Sequence, residues 1–150
     1  MKINYSKKEV DGSTSVSAQG RDMNISFKDA VVLSDFLRGK TLSSALKQLD
    51  AVVEKKLPVP YRRFNTGIGH RKGGQAKVGK YPVKAAQHFK DVLRNLEGNA
   101  EYKGLEAEDL KIIHIQALKG RAILKRKPKG RWKPWSTQYV NIQVIAQEQT

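Results

Sequence analysis

The chain has 150 residues, a formal net charge of +15 and a pI near 10.1. That length suits one domain with a core that buries roughly 68–70% of its unfolded surface. The lack of cysteine excludes a disulfide framework or a thiolate metal site and fits a reducing compartment. No segment approaches the roughly 20 apolar residues of a membrane span, and Met1 to Val10 carries no signal-peptide apolar core.

The predicted elements begin with a short strand near Ser13 to Gln19, where Val16 and Ala18 alternate with polar residues. Ser26 is placed to cap a first helix, with Asp29 three positions on as a capping-box variant. Phe27, Ala30, Val31 and Leu37 give that helix its apolar spacing, and Gly39 suits its C′ position. Thr41 is expected to cap a second helix whose stripe is Leu42, Ala45, Leu46, Leu49 and Val53. Pro58 ends it by disfavouring helical geometry at Leu57.

Residues 58–81 show no period and contain five glycines, the composition of a functional or disordered insertion. Pro82 suits the first turn of a third helix. Its buried face would be Ala85, Ala86, Phe89, Leu93 and Leu96, with Gly98 and Gly104 bracketing its end. Glu101 to Asp109 reads as an acidic turn region.

From Leu110 the period becomes two. Ile113, Ile115 and Ala117 alternate with Ile112, His114 and Gln116, and later Val140, Ile142 and Val144 alternate with Asn141 and Gln143. These are expected to be antiparallel strands of a half-buried sheet. Residues 119–138 between them hold little apolar content, so the strands should continue as a protruding ribbon that turns near Pro128-Lys129-Gly130. At about 3.3 Å per residue its reach is on the order of 30 Å.

The charge is segregated. Nineteen of the 29 Lys and Arg residues lie in windows 55–90 and 111–133, and neither window contains Asp or Glu. Such a surface repels itself unless a polyanion neutralises it, and nucleic acid supplies the matching charge density. A merely soluble basic surface would favour mixed signs. In the central segment the candidate contacts are Arg62, Arg63, His70, Arg71, Lys72, Lys77, Lys80 and Lys84, where glycines allow close backbone approach and Arg offers paired donors to phosphate.

In the ribbon the candidates are Arg121, Lys125, Arg126, Lys127, Lys129, Arg131 and Lys133, interleaved with Trp132 and Trp135. Cations neutralise phosphates, and an indole can stack on an unpaired base or pack across the ribbon to stiffen it. Three positions apart, the two indoles should face opposite sides. Trp132 is expected to be the outward stacking ring and Trp135 the stiffening one.

Enzymatic signals dissolve on inspection. Gly39-Lys40-Thr41 lacks the earlier glycine and preceding strand of a phosphate-binding loop, and Gly67-Ile68-Gly69 lacks the strand and third glycine of a dinucleotide fingerprint. His70, His88 and His114 are too scattered for a metal cluster, and His114 reads as a sheet-face residue. Glu106, Glu108 and Asp109 read as solvated turn residues, and no nucleophile–base pairing is legible. No cofactor is expected.

Three stretches then resemble a known family: Pro58-Val59-Pro60-Tyr61-Arg62-Arg63-Phe64-Asn65, Gly69-His70-Arg71-Lys72-Gly73 and Lys80-Tyr81-Pro82-Val83-Lys84-Ala85-Ala86. Asn99-Ala100-Glu101-Tyr102-Lys103-Gly104-Leu105 and the late basic hairpin add to it. Over roughly residues 20–146 the chain resembles large-subunit ribosomal protein family twenty-two in its archaeal and eukaryotic form. The resemblance implies an α+β fold of three helices packed on a three-stranded antiparallel sheet, with a long protruding β-hairpin. It implies a non-enzymatic protein of the cytoplasmic ribosome that binds large-subunit ribosomal RNA beside neighbouring ribosomal proteins. The globular part would sit near the tunnel exit, and the hairpin would line the nascent-peptide tunnel. The tip, Lys125 to Lys133, departs from the family: Lys127 precedes Pro128 where Met is common, and Trp132 and Trp135 are additions. The alternative is an architectural DNA-binding protein with a β-ribbon arm, which would be expected to end in an apolar wedge.

Overall fold

A computed structural model describes residues 5–7, 12–75, 77–128, 130 and 133–148, with the backbone alone at residue 108. Strand β1 (Ser15–Met23) leads into helices α1 (Phe27–Leu37) and α2 (Leu42–Val53). Two short strands, β2 (Val59–Pro60) and β3 (Gly79–Lys80), flank the basic central segment. Helix α3 (Val83–Lys103) follows, then a 3-10 turn (Ala107–Asp109) and the long strands β4 (Leu110–Arg126) and β5 (Pro134–Glu148). The fold is α+β, as expected: three helices on an antiparallel sheet of order β1-β5-β4, with β2 and β3 forming a second small sheet.

The helices lie on one face of the large sheet because their apolar stripes match its inward residues. Ala30, Leu33 and Leu37 of α1, Leu49 of α2, and Ala86, Phe89, Leu93 and Leu96 of α3 are fully buried against Val140, Ile142, Val144 and Ala146 of the central strand β5 and its neighbours. The third-helix face is the one its spacing predicts, extended by Val92 and Ala100. On α1 the predicted Phe27 and Val31 are only partly buried, and Leu33 takes the inner position. Val32 and Phe36 are buried too, since β2 packs on a second side of this helix.

Several local expectations are corrected. Strand β1 runs to Met23, four residues past its predicted end. Ser26 does cap α1, accepting a hydrogen bond from the Asp29 amide at 3.4 Å. Thr41 occupies the cap position of α2 without a side-chain cap bond, and it bridges Lys111 of β4 instead. Pro82 is the cap residue of α3 and precedes its first turn. Gly39, at φ +79°, stands where it was expected, and its amide donates to the Ile112 carbonyl at 2.9 Å. That bond uses the amide a phosphate loop would need.

The strand β4 pattern is also corrected. Ile112 pairs with Ala146 and His114 with Ile145, so Ile113 is an extra residue in a β-bulge. The bulge flips the alternation. Leu110 and Ile112 before it and Ile115 and Ala117 after it all face the core, whereas Ile113 does not join them. His114 lies on the outer face as predicted, 3.1 Å from the Ser6 hydroxyl, and burial followed by Arg38 and Lys7 lowers its pKa.

Candidate nucleic-acid interface

The central segment is largely irregular, as expected, but short pairings tie it together. Val59 pairs with Lys80 and Pro60 with Gly79, and the Tyr61 amide donates to the Val78 carbonyl at 3.1 Å. On the other edge His70 bridges Val78, and the Arg71 amide donates to the Lys77 carbonyl at 2.8 Å. Residues 77–80 therefore run between two short extended pieces. Gly79 is buried where a Cβ would lie 3.2 Å from the Pro58 side chain and 3.3 Å from the Val59 carbonyl, so this glycine serves packing within the segment.

Helix α1 anchors the segment through two carboxylates. The Tyr61 hydroxyl donates to Asp29 at 2.7 Å, and the Lys80 ammonium lies 3.3 Å from the same oxygen. Arg63 lies 3.6 Å from Asp35. The ion pairs are partly exposed and each contributes little. The Tyr61 bond is stronger in kind, because a buried hydroxyl meets an ionised acceptor. Burial, then Asp29 as hydrogen-bond acceptor and as charge, push the Tyr61 pKa far upward, so it remains a donor.

Tyr61→Phe is expected to lower stability by about 1.5–3 kcal/mol, the range for a hydrogen bond to a charged group. Hydrogen exchange should then quicken in residues 59–61 and 77–80; unchanged exchange there would remove Tyr61 as the anchor. The raised pKa has a pH consequence. Its contribution is complete below the ordinary tyrosine value of 10.0 and is lost as pH rises above it. Wild type should therefore lose stability more steeply than Tyr61→Phe above that pH.

Arg62, His70, Arg71, Lys72, Lys77 and Lys84 are exposed and, among the described residues, make no ion pair. Arg71 sits 5.9 Å over the Tyr81 ring. Lys80 and Arg63 are thus the two predicted contacts of this segment that are already paired.

The finger is present. Strand β1 loses its pairing with β5 after Met23↔Val140, while β4 and β5 continue together to Arg126↔Pro134. The Lys127 amide donates to the Lys133 carbonyl at 3.0 Å, carrying the ladder one step further. Arg121, Lys125, Arg126, Lys127 and Lys133 are all exposed and, among the described residues, make no ion pair. Lys129, Arg131 and Trp132 lie outside the described residues. Trp135 is 53% exposed, with the Lys127 ammonium 5.8 Å from its ring. About half of its surface is open to solvent.

A polar cluster packs at the root of the finger. Lys119 pairs with Val140 but Ala122 with Gln138, so β4 carries one extra residue there. The Asn141 side-chain oxygen accepts from the Asp22 amide at 2.8 Å, and Asp22 accepts from the Arg121 amide at 3.3 Å. The Gln138 amide donates to the Gly120 carbonyl at 2.8 Å. A Cβ on Gly120 would meet Asn141 Oδ1 at 2.9 Å and Asp22 Oδ1 at 3.1 Å. Gly120→Ala is expected to loosen this root, speeding exchange in 119–141 and weakening RNA binding with little change in the thermal midpoint. A variant with native exchange and native RNA affinity would show that the cluster does not aim the finger.

The central segment adjoins the root of the finger at one groove. A groove of about 520 Å³ is lined by Lys80 and Lys84 on one side and by Thr137 and Gln138 of the finger root on the other. Sequence reasoning missed the neutralising carboxylates Asp29 and Asp35, since both lie in a different element.

With this geometry in place, relatives are informative. The model of the family described as ribosomal protein L22p/L17e matches residues 18–147. The chain belongs to this family of large-subunit ribosomal proteins. The "large ribosomal subunit protein uL22" of Archaeoglobus fulgidus is 42% identical over 97% of this chain and 96% of its own length. Those of Picrophilus torridus and Haloarcula marismortui are 46% and 36% identical, covering 96% and 99% of this chain and 95% and 97% of themselves. Membership makes this a structural ribosomal protein and not an enzyme. No helix among the described residues is long and apolar enough to cross a membrane.

Proposed function

We propose that this chain is a structural constituent of the large subunit of the cytoplasmic ribosome, binding large-subunit ribosomal RNA through the central segment and the finger. The observation that carries this reading is the pairing pattern of the cations. Structural carboxylates neutralise those at the segment's base, while Arg62, Arg71, Lys72 and the finger residues remain exposed without carboxylate partners. Phosphates are the complementary ligand, and displacement of their counterions supplies the driving force.

The two projections extend from one rigid core, so together they can clamp separate RNA helices. By resemblance the globular part lies near the tunnel exit beside other ribosomal proteins, and the finger lines the tunnel and meets the nascent peptide. The family match supports a large-subunit ribosomal protein over an architectural DNA-binding protein. The test is the RNA that copurifies with the tagged chain after ultraviolet crosslinking in cells. Large-subunit ribosomal RNA should dominate, and ribosomes stalled on a nascent chain should crosslink that chain to Lys125. Recovery of genomic DNA or unrelated RNA would overturn the assignment.

A further inference from the structure

Phe64 is the one bulky aromatic residue that the described structure holds in left-handed backbone geometry, at φ +55°. Large side chains rarely adopt this region. Asp22 and Lys55 also have positive φ, but each is compensated: the Asp22 amide bonds Asn141 and the Lys55 amide bonds Val52. Phe64 makes no hydrogen bond among the described residues, and its side chain is only partly covered, with 40% of the residue exposed. Strained residues of this kind persist where their surroundings over-determine them, often at ligand sites. Nearby are two cations, with the Arg63 guanidinium 5.7 Å and the Lys28 ammonium 5.8 Å from the ring centroid. Both lie over the ring near the roughly 6 Å limit for attraction to an aromatic face, and the ring stays partly exposed beside them.

We infer that Phe64 is a stacking platform for an unpaired base of the bound RNA, with Lys28 placed to hold a flanking phosphate. This deepens the RNA-binding reading and rests on it. An exposed ring offers a sequence-tolerant π-face, and adjacent cations favour the nucleotide's charged backbone. The bland alternative is that the ring anchors the central segment to α1 through Lys28. The two differ in what substitution does. An anchor stabilises the free protein, whereas a platform acts on the bound state alone.

The experiment uses the full chain and an in vitro transcript of large-subunit ribosomal RNA, measuring affinity, its salt dependence and the thermal midpoint of the free protein. Phe64→Gly relieves the backbone geometry, and Phe64→Leu keeps an apolar side chain without a π-face. Both should weaken binding about 5- to 150-fold, the loss expected for one stacked base. The salt slope should not change, and the Phe64→Gly midpoint should stay at or above that of wild type. Phe64→Tyr, which keeps the ring, should bind within about threefold of wild type. Wild-type affinity in Phe64→Gly would overturn the platform, as would a weaker affinity that came with a lowered midpoint and a flatter salt slope. If the unaltered chain fails to bind the transcript, the parent reading falls and takes this inference with it.

Discussion

Replacing Arg62, Arg71 and Lys72 together by alanine is expected to lower affinity for large-subunit ribosomal RNA by about two to three orders of magnitude near 0.1 M salt. Each phosphate contact contributes a slope of about 0.7–0.9 in log affinity against log salt, equivalent to nearly one decade at that salt relative to 1 M. The slope should therefore fall by about two to three. Adding Arg63→Ala should add less than a full contact, because Asp35 lies 3.6 Å from Arg63 and already offsets part of its charge. An unchanged slope in the triple variant would mean that the central segment does not touch phosphate. A slope loss concentrated in Arg63 would mean that its pairing with Asp35 breaks on binding.

Excising residues 122–137 and closing the strands with a short turn should leave a cooperative fold with a thermal midpoint within a few degrees of wild type. The buried residues Ile115, Ala117, Val140, Ile142 and Val144 all lie outside the excised stretch, and its described residues are exposed or half-buried. Gln138 is kept because its amide bonds the Gly120 carbonyl at the root. Six cations leave with the finger: Lys125, Arg126, Lys127, Lys129, Arg131 and Lys133. If all six contact phosphate, affinity falls by about four to five decades at 0.1 M salt, which is the upper bound on the loss. Loss of the cooperative transition would place the finger in the folding core.

The helices and long strands were legible because their residues carry a period over many positions. The central segment was not, because strands of two residues, Val59–Pro60 and Gly79–Lys80, are too short to show one. The inward face of β4 was ambiguous for a different reason. Ile112 and Ile113 are both apolar, and only the bulge opposite Ile145 and Ala146 decides which one enters the core. The cation windows could be read directly, since charge needs no tertiary information to be counted. Which cations are already paired could not be read, because Asp29 and Asp35 reach Lys80 and Arg63 from a separate helix. Thr41 shows the same limit: a strong cap residue by type, it sits where the backbone meets Lys111 instead.

The clamping account is tested most directly by local cleavage of the RNA. The chain has no cysteine, so Lys72→Cys and Lys125→Cys each create a unique attachment point for an iron chelate that generates hydroxyl radicals. Assembled into large subunits, the two labelled proteins should cut large-subunit ribosomal RNA strongly and at two different sets of positions, while a label at exposed Lys47 on α2 should cut weakly. Cleavage from neither Lys72 nor Lys125 above that of the Lys47 control would contradict the assignment of the central segment and the finger as the RNA-binding surfaces.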